Sequence, residues 1–236
     1  MYEKPWMAGP RELLVHGLQH LDLESDFDNR MAMISIDNSI ELMIKTYLSL
    51  PKRISQIEGL NRRRLQEITS NFPSLLDGLE EFGGEKLNGI ELGDIEWFHR
   101  VRNQLYHDGN GITVEKEKVE AYGEMAKILF ENLFEQQIME TGNETLHHSL
   151  TGEFIKLWAD LERSDESDGE RPRPVMHRIQ QMISNGELSE RQAEKLHRVR
   201  NFRNHLVHGV SSPTESELKE SLSDLKAIHA ALDSNE

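Results

Sequence analysis

Cysteine is absent from the 236 residues, which excludes disulfides and thiolate metal sites. Long uncharged apolar runs are missing as well. No stretch approaches the roughly 20 residues that a membrane-spanning helix needs. The opening segment, with Trp6, Arg11, Glu12 and His16, has no apolar core of the kind a signal peptide requires. A cytoplasmic protein without membrane attachment is expected. Basic charge is scarce: 27 Lys and Arg stand against 42 Asp and Glu, a formal net charge of −15. The deficit runs through the whole chain, with 15 basic and 25 acidic residues in 1–140 and 12 and 17 in 141–236. Such a surface argues against coating nucleic acid broadly, because that depends on neutralising phosphates. It leaves room for a local basic cleft, and two basic runs exist, Asn61-Arg62-Arg63-Arg64 and His197-Arg198-Val199-Arg200-Asn201-Phe202-Arg203.

Period-two alternation and valine–isoleucine runs are almost absent, whereas helical apolar spacing recurs, so the chain is expected to be all-α. A short helix is expected near Arg11–Leu21, then a long one over about Asp28–Leu48 with Met33, Ile36, Ile40, Met43, Ile44 and Tyr47 on one side, stopped by Pro51. Residues 53–90, broken by Pro73, Gly78 and Gly83-Gly84, read as short helices and loops. A helix over about Gly93–Tyr106 follows, and Thr113 is expected to cap one carrying Val119, Tyr122, Ala126, Leu129, Leu133 and Phe134. After a boundary near Gln137–Asn143, helices are expected around Leu146–Arg163 and Val175–Ile183, separated by the charged loop 164–170. Capping boxes are expected at Ser189/Gln192 and at Ser212-Pro213-Thr214-Glu215. This gives two helical domains, 1–140 and a shorter 141–236.

Both domains carry the pattern Arg-Asn-x-x-x-His late in a helix, at Arg102-Asn103…His107 and at Arg203-Asn204…His208, with Gly109 and Gly209 just beyond. The second half also holds a strict match at Arg200-Asn201…His205, and looser ones link Arg100 to His107 and Arg198 to His205. A helical wheel with Arg102 at zero puts Trp97, Val101, Leu105, Phe98, Ile95 and Tyr106 on one arc, with Asn103 and His107 as neighbours on the polar side. Arg203 at zero reproduces this with Phe202, Leu206, Val199, Leu196 and Val207, whereas Arg200 and His205 break the match. The working set is therefore Arg102, Asn103, His107, Arg203, Asn204 and His208, with Arg100, Arg200 and His205 as auxiliary polar groups. Arg102 and Arg203 fall at the edge of the apolar arcs, where an unpaired guanidinium is costly. Glu41, in Ile40-Glu41-Leu42-Met43-Ile44, is the expected partner of Arg102, and Glu153 the candidate for Arg203.

These segments, Ile-Glu-Leu-x-Ile-Lys, Arg-Val-Arg-Asn-Gln-Leu-Tyr-His and Arg-Asn-His-Leu-Val-His-Gly, resemble those of HEPN domains (higher eukaryotes and prokaryotes nucleotide-binding). The resemblance covers most of the chain as two tandem copies and is weakest at residues 53–90. It implies helical bundles packed through their motif helices as a pseudo-dimer. Many such proteins are metal-independent endoribonucleases in toxin–antitoxin, phage-defence or CRISPR-linked systems, and others bind nucleic acid or proteins without cutting. It further implies RNA as substrate, an antitoxin or regulatory protein as partner, and homo-oligomers. Family toxins silenced by nucleotidylation carry a tyrosine two residues after the motif histidine. Gly109 and Val210 stand there in this chain, which departs from that pattern.

The chemistry expected of the motif needs no cofactor and no metal. A histidine takes the proton of a ribose 2′-hydroxyl, which attacks the adjacent phosphate, and a second histidine protonates the departing 5′ oxygen. Arg102 and Arg203 stabilise the phosphorane and Asn103 and Asn204 orient the groups. Which histidine is base and which is acid is open. Two other readings compete: a non-catalytic module binding a nucleotide, RNA or protein, and a purely structural role in which arginine and asparagine tie the helix end and histidine caps it. The glycine beyond each motif fits an ordinary helix C-cap. His147-His148 lacks the spacing and carboxylate company of a metal site.

Overall fold

The computed structural model describes residues 4–23, 25–107, 113–138, 149–163, 181–186, 188–209 and 211–233. Among them the regular elements are all helices. The chain divides into two compact units, Met1–His147 and His148–Glu236. The expected domain boundary at 140/141 falls outside the described residues.

The first unit is organised around one long helix. α1 (Ala8–Leu21) and α2 (Asp26–Ser49) pack closely, and α2 also receives the later helices. Ser25 starts α2 by accepting a hydrogen bond from the Asp28 backbone N–H at 3.1 Å. Asp26 and Asp28 in the first turn suit the positive end of the helix dipole. The helix stops at Leu50, held extended (ψ 143°) ahead of Pro51. Ala32, Met33, Ile36, Ile40, Met43 and Ile44 are wholly buried. At Gly17 a Cβ would lie 2.9 Å from Ile36 Cγ1. Only glycine lets α1 come this near.

Three short helices follow, α3 (Lys52–Ser55), α4 (Arg62–Ile68) and α5 (Phe72–Gly83), then a 3-10 turn, Gly84–Leu87. α6 (Leu92–His107) and α7 (Lys116–Phe134) complete the unit. α7 lies against α1 and α2, and α6 against α2 and α5. Ile95 and Phe98 of α6 and Tyr122 and Leu129 of α7 close the core. Two expectations fail here. Thr113 does not cap α7: the N-cap is Glu115, with no side-chain cap bond. Tyr106, placed on the apolar arc, is 66 % exposed, since the arc is covered toward its middle and not at the helix end.

The second unit contains α8 (Leu150–Arg163), α9 (Glu190–His208) and α10 (Glu215–Asp233), with α10 packed on both others. Phe154, Trp158, Leu196, Val199, Leu206, Leu225 and Ile228 are buried. The expected Ser189/Gln192 capping box starts α9. The second box is displaced. Thr214 Oγ1 accepts from Glu217 N–H at 3.3 Å, and Glu217 Oε2 accepts from Thr214 N–H at 2.7 Å. The helix begins at Glu215, two residues later than expected, with Thr214 as its cap and Ser212 and Pro213 ahead of it. The helix expected at Val175–Ile183 lies mostly outside the described residues.

Candidate functional site

α2 carries a carboxylate where its apolar stripe should continue. Asp37 stands between Met33 and Ile40 and is wholly buried. A lone ionised carboxylate there would be very unfavourable, so donors must converge on it. Three do, from two helices. Tyr122 on α7 donates its hydroxyl to Asp37 Oδ1 at 2.9 Å. His99 Nδ1 on α6 lies 3.0 Å from Oδ2 and 3.2 Å from Oδ1. Arg102 Nε, also on α6, is 2.8 Å from Oδ2. Its N–H is not aligned along that contact, so the pair is an ion pair and not a directed hydrogen bond.

Arg102 is fixed from two further directions. Nη2 donates to Asn38 Oδ1 at 2.8 Å and Nη1 to Asn103 Oδ1 at 2.9 Å. A guanidinium has five N–H groups. One on each terminal nitrogen has no partner among the described residues, and the side chain is 17 % exposed. Arg102 is thus a cation of set orientation with donors to spare. The expectation that Glu41 pairs with it is wrong. Glu41 is held by Lys45 four residues on, Nζ to Oε1 at 2.5 Å. Asp37, one turn earlier, takes the arginine because it is the acidic position of α2 that faces the interior.

His99 stacks on Phe72 of α5, centroids 3.7 Å apart and planes 7° from parallel. Tyr122 stacks on Phe98 at 4.4 Å. Burial pushes the Tyr122 hydroxyl well above its ordinary pKa, the Asp37 charge and hydrogen bond push it further, and Arg102 opposes them. Tyr122 therefore remains a donor.

Asn103 is half-buried and engaged by Arg102. His107 closes α6, but its side chain lies outside the described residues. Arg100 is exposed and 3.6 Å from Glu96 on its own helix, away from the Asp37 cluster. In the second unit Arg203 is 5 % exposed. Asn204, His205 and His208 are exposed and Arg200 half-buried. Glu153 does not serve Arg203: its carboxylate meets Lys226 Nζ at 2.6 Å, near the surface. Gly209 is extended (φ −62°, ψ 155°), not left-handed. A Cβ there would run into the His205 carbonyl and ring.

Part of each basic run is paired with carboxylates. Arg64 reaches Glu81 at 2.5 Å, Arg63 reaches Glu67 at 3.2 Å and Arg198 reaches Asp224 at 3.2 Å. Lys195 also donates to Asp224 and does most to hold that carboxyl below its usual range. Among the described residues no group of three or more His, Asp or Glu could hold a metal ion, and no helix is long and apolar enough to cross a membrane.

Sequence reasoning missed Asp37, Asn38, His99 and Tyr122. The signal existed at Asp37, a charge inside an apolar stripe, and at Tyr122, a core phenol that needs an acceptor. His99, three residues before Arg102 and four before Asn103, shares their helix face. No family model matches the chain, and no curated protein or solved structure is found to be similar to it.

Proposed function

We propose that the chain is a metal-independent endoribonuclease of the HEPN type that cuts single-stranded RNA. The observation that carries this reading is the state of Arg102. It is oriented by Asp37, Asn38 and Asn103, yet keeps unpartnered N–H groups and partial exposure. A cation held in advance, with donors free, is what a phosphate gaining charge in a transition state needs. Asn103 and His107 follow it on the same helix, and Arg203, Asn204 and His208 repeat the set. A histidine accepts the 2′-hydroxyl proton, the O2′–P bond forms, the P–O5′ bond breaks, and a second histidine gives the 5′ oxygen its proton. The products are a 2′,3′-cyclic phosphate and a 5′-hydroxyl. DNA lacks the nucleophile.

In this proposal the two halves, near 1–140 and 141–236, are HEPN-like bundles that pair through their motif helices to make a composite site. The surroundings proposed are a cytoplasmic toxin or phage-defence effector, restrained by an antitoxin or regulatory protein and forming homo-oligomers. The net charge of −15 repels polyanions in general and leaves binding to the local site. Purified full-length protein is incubated with a mixed RNA pool in chelator and the product ends are mapped. Cleavage with cyclic-phosphate ends is expected. Intact RNA after incubation with folded, concentrated protein would overturn the reading.

One observation favours a second reading, a module that binds a nucleotide, RNA or protein without turnover. Arg203 is buried, as an arginine serving to tie helices would be. Binding without cleavage in the same assay is its outcome.

A further inference from the structure

We propose that His99 is a further proton-accepting residue of the first unit, held by Asp37 as positioning residue beside the phosphate-binding Arg102. The reaction rests on the ribonuclease reading; the arrangement of the imidazole does not. Asp37 Oδ2 is shared by His99 Nδ1 at 3.0 Å and Arg102 Nε at 2.8 Å, so ring and guanidinium are neighbours around one oxygen. An ionised carboxylate only accepts hydrogen bonds. A neutral His99 must therefore carry its proton on Nδ1, which leaves the Nε2 lone pair on the far side of the ring, away from the buried carboxylate. A second-group contact of this kind fixes a histidine's tautomer. Phe72 fixes the ring plane. The side chain keeps 14 % exposure, and Nε2 has no hydrogen-bond partner among the described residues. A base of set tautomer thus opens outward beside a cation with spare donors.

The groups facing His99 are few. From α2 comes Asp37, from α7 the Tyr122 hydroxyl through the same carboxylate, from α5 the uncharged Phe72 ring, and on its own helix Arg102. The offset of 101 residues that maps Arg102 onto Arg203 maps His99 onto Arg200. The second unit has no imidazole at this place, and the two copies are chemically unequal. In the reaction, Nε2 takes the 2′-hydroxyl proton as O2′ bonds to phosphorus. The P–O5′ bond breaks, and a motif histidine in its cationic form returns a proton to O5′.

The test uses full-length protein with labelled imidazole nitrogens. In the wild type, nitrogen shifts are expected to report a proton on His99 Nδ1 and none on Nε2 above its titration; Asp37→Asn is expected to lose that preference. In RNA cleavage, His99→Ala is expected to lose about 100-fold or more in rate, the range of a lost general base. Added imidazole should restore part of it. His99→Gln, which still offers Asp37 a donor, should stay folded, remain slow and lose the rising acid limb of the kcat/KM profile. Full activity in His99→Gln with an unchanged pH profile would overturn the proposal. Should the wild type cut no RNA, the ribonuclease reading fails and His99 is judged by a 2′-deoxy oligonucleotide. A raised His99 titration midpoint on its addition, absent in Arg102→Ala, supports the phosphate-facing role. A His99 signal unmoved by it overturns that role as well.

Discussion

Asp37 Oδ2 and Arg102 Nε stand 2.8 Å apart, the carboxylate wholly buried and the arginine mostly so. Such a pair contributes little beyond what apolar packing would, yet removing one partner leaves a desolvated charge. Asp37→Ala strands Arg102 and also the Tyr122 hydroxyl and His99 Nδ1. A loss of about 3–5 kcal/mol is expected, read as a lower urea midpoint at unchanged slope. A loss under about 1 kcal/mol would show that water takes over the role of Asp37 easily.

Tyr122 connects the same carboxylate to alkaline stability. Its folded pKa lies well above its ordinary value, first because of burial and then because of Asp37. The neutral phenol is therefore favoured by folding. Its stabilisation is complete below the unfolded-state pKa of about 10 and is lost as pH rises from there toward the folded value. Tyr47 is raised too, by burial and by Glu135, and adds to the same limb. Tyr122→Phe should cost about 1–2 kcal/mol at neutral pH through the lost hydrogen bond, while flattening the fall in stability above pH ~10. Denaturation midpoints across that range decide it. An unchanged alkaline slope refutes the assignment.

The motif residues should separate activity from stability. His107→Ala is expected to abolish most cleavage and to leave the denaturation midpoint near wild type, since His107 ends its helix. Arg102→Ala should lose about 100- to 1,000-fold in rate, the scale for a preorganised transition-state donor. It should also lower stability, because Asp37 is left without its cation. Paired rate and urea measurements test this. Equal stability losses in both variants would point to a structural motif.

The sequence carried the helical class, the long α2 and most helix ends, because apolar spacing, Ser189 and Pro51 act locally. It also carried the burial of Arg102 and Arg203, since their arcs are apolar. It did not carry the partner. Asp37 and Glu41 are one turn apart on α2; the apolar stripe marks Asp37 as the inward one, but that it meets Arg102 depends on how α6 crosses α2. The same crossing, with that of α7 over α2, decides which groups Asn38, His99 and Tyr122 meet. Each joins the cluster through contacts spanning more than 60 residues. The capping box expected at Ser212/Glu215 forms instead at Thr214/Glu217, an equally spaced pair two residues on.

The second copy decides whether the proposed site is composite. His208 and His205 are both exposed near the end of α9, so neither substitution should disturb the core. Glu217 lies close enough to His205 to feel its charge, and the His205 carbonyl accepts the Gly209 N–H at 2.8 Å. Both contacts are local to the connection between α9 and α10, whereas His208 matches His107 in register. His208→Ala is therefore expected to reduce RNA cleavage as severely as His107→Ala, and His205→Ala only mildly. Rates on one RNA substrate, with circular dichroism to verify folding, separate three outcomes. Loss with His205→Ala alone would overturn the register that pairs Arg203 with His208. If neither substitution matters while His107→Ala still abolishes cleavage, the second unit is a scaffold. The two histidines at the phosphate would then come from the first unit, or from two first units of different chains, and doubling the protein concentration at low occupancy would raise the specific rate in the latter case alone.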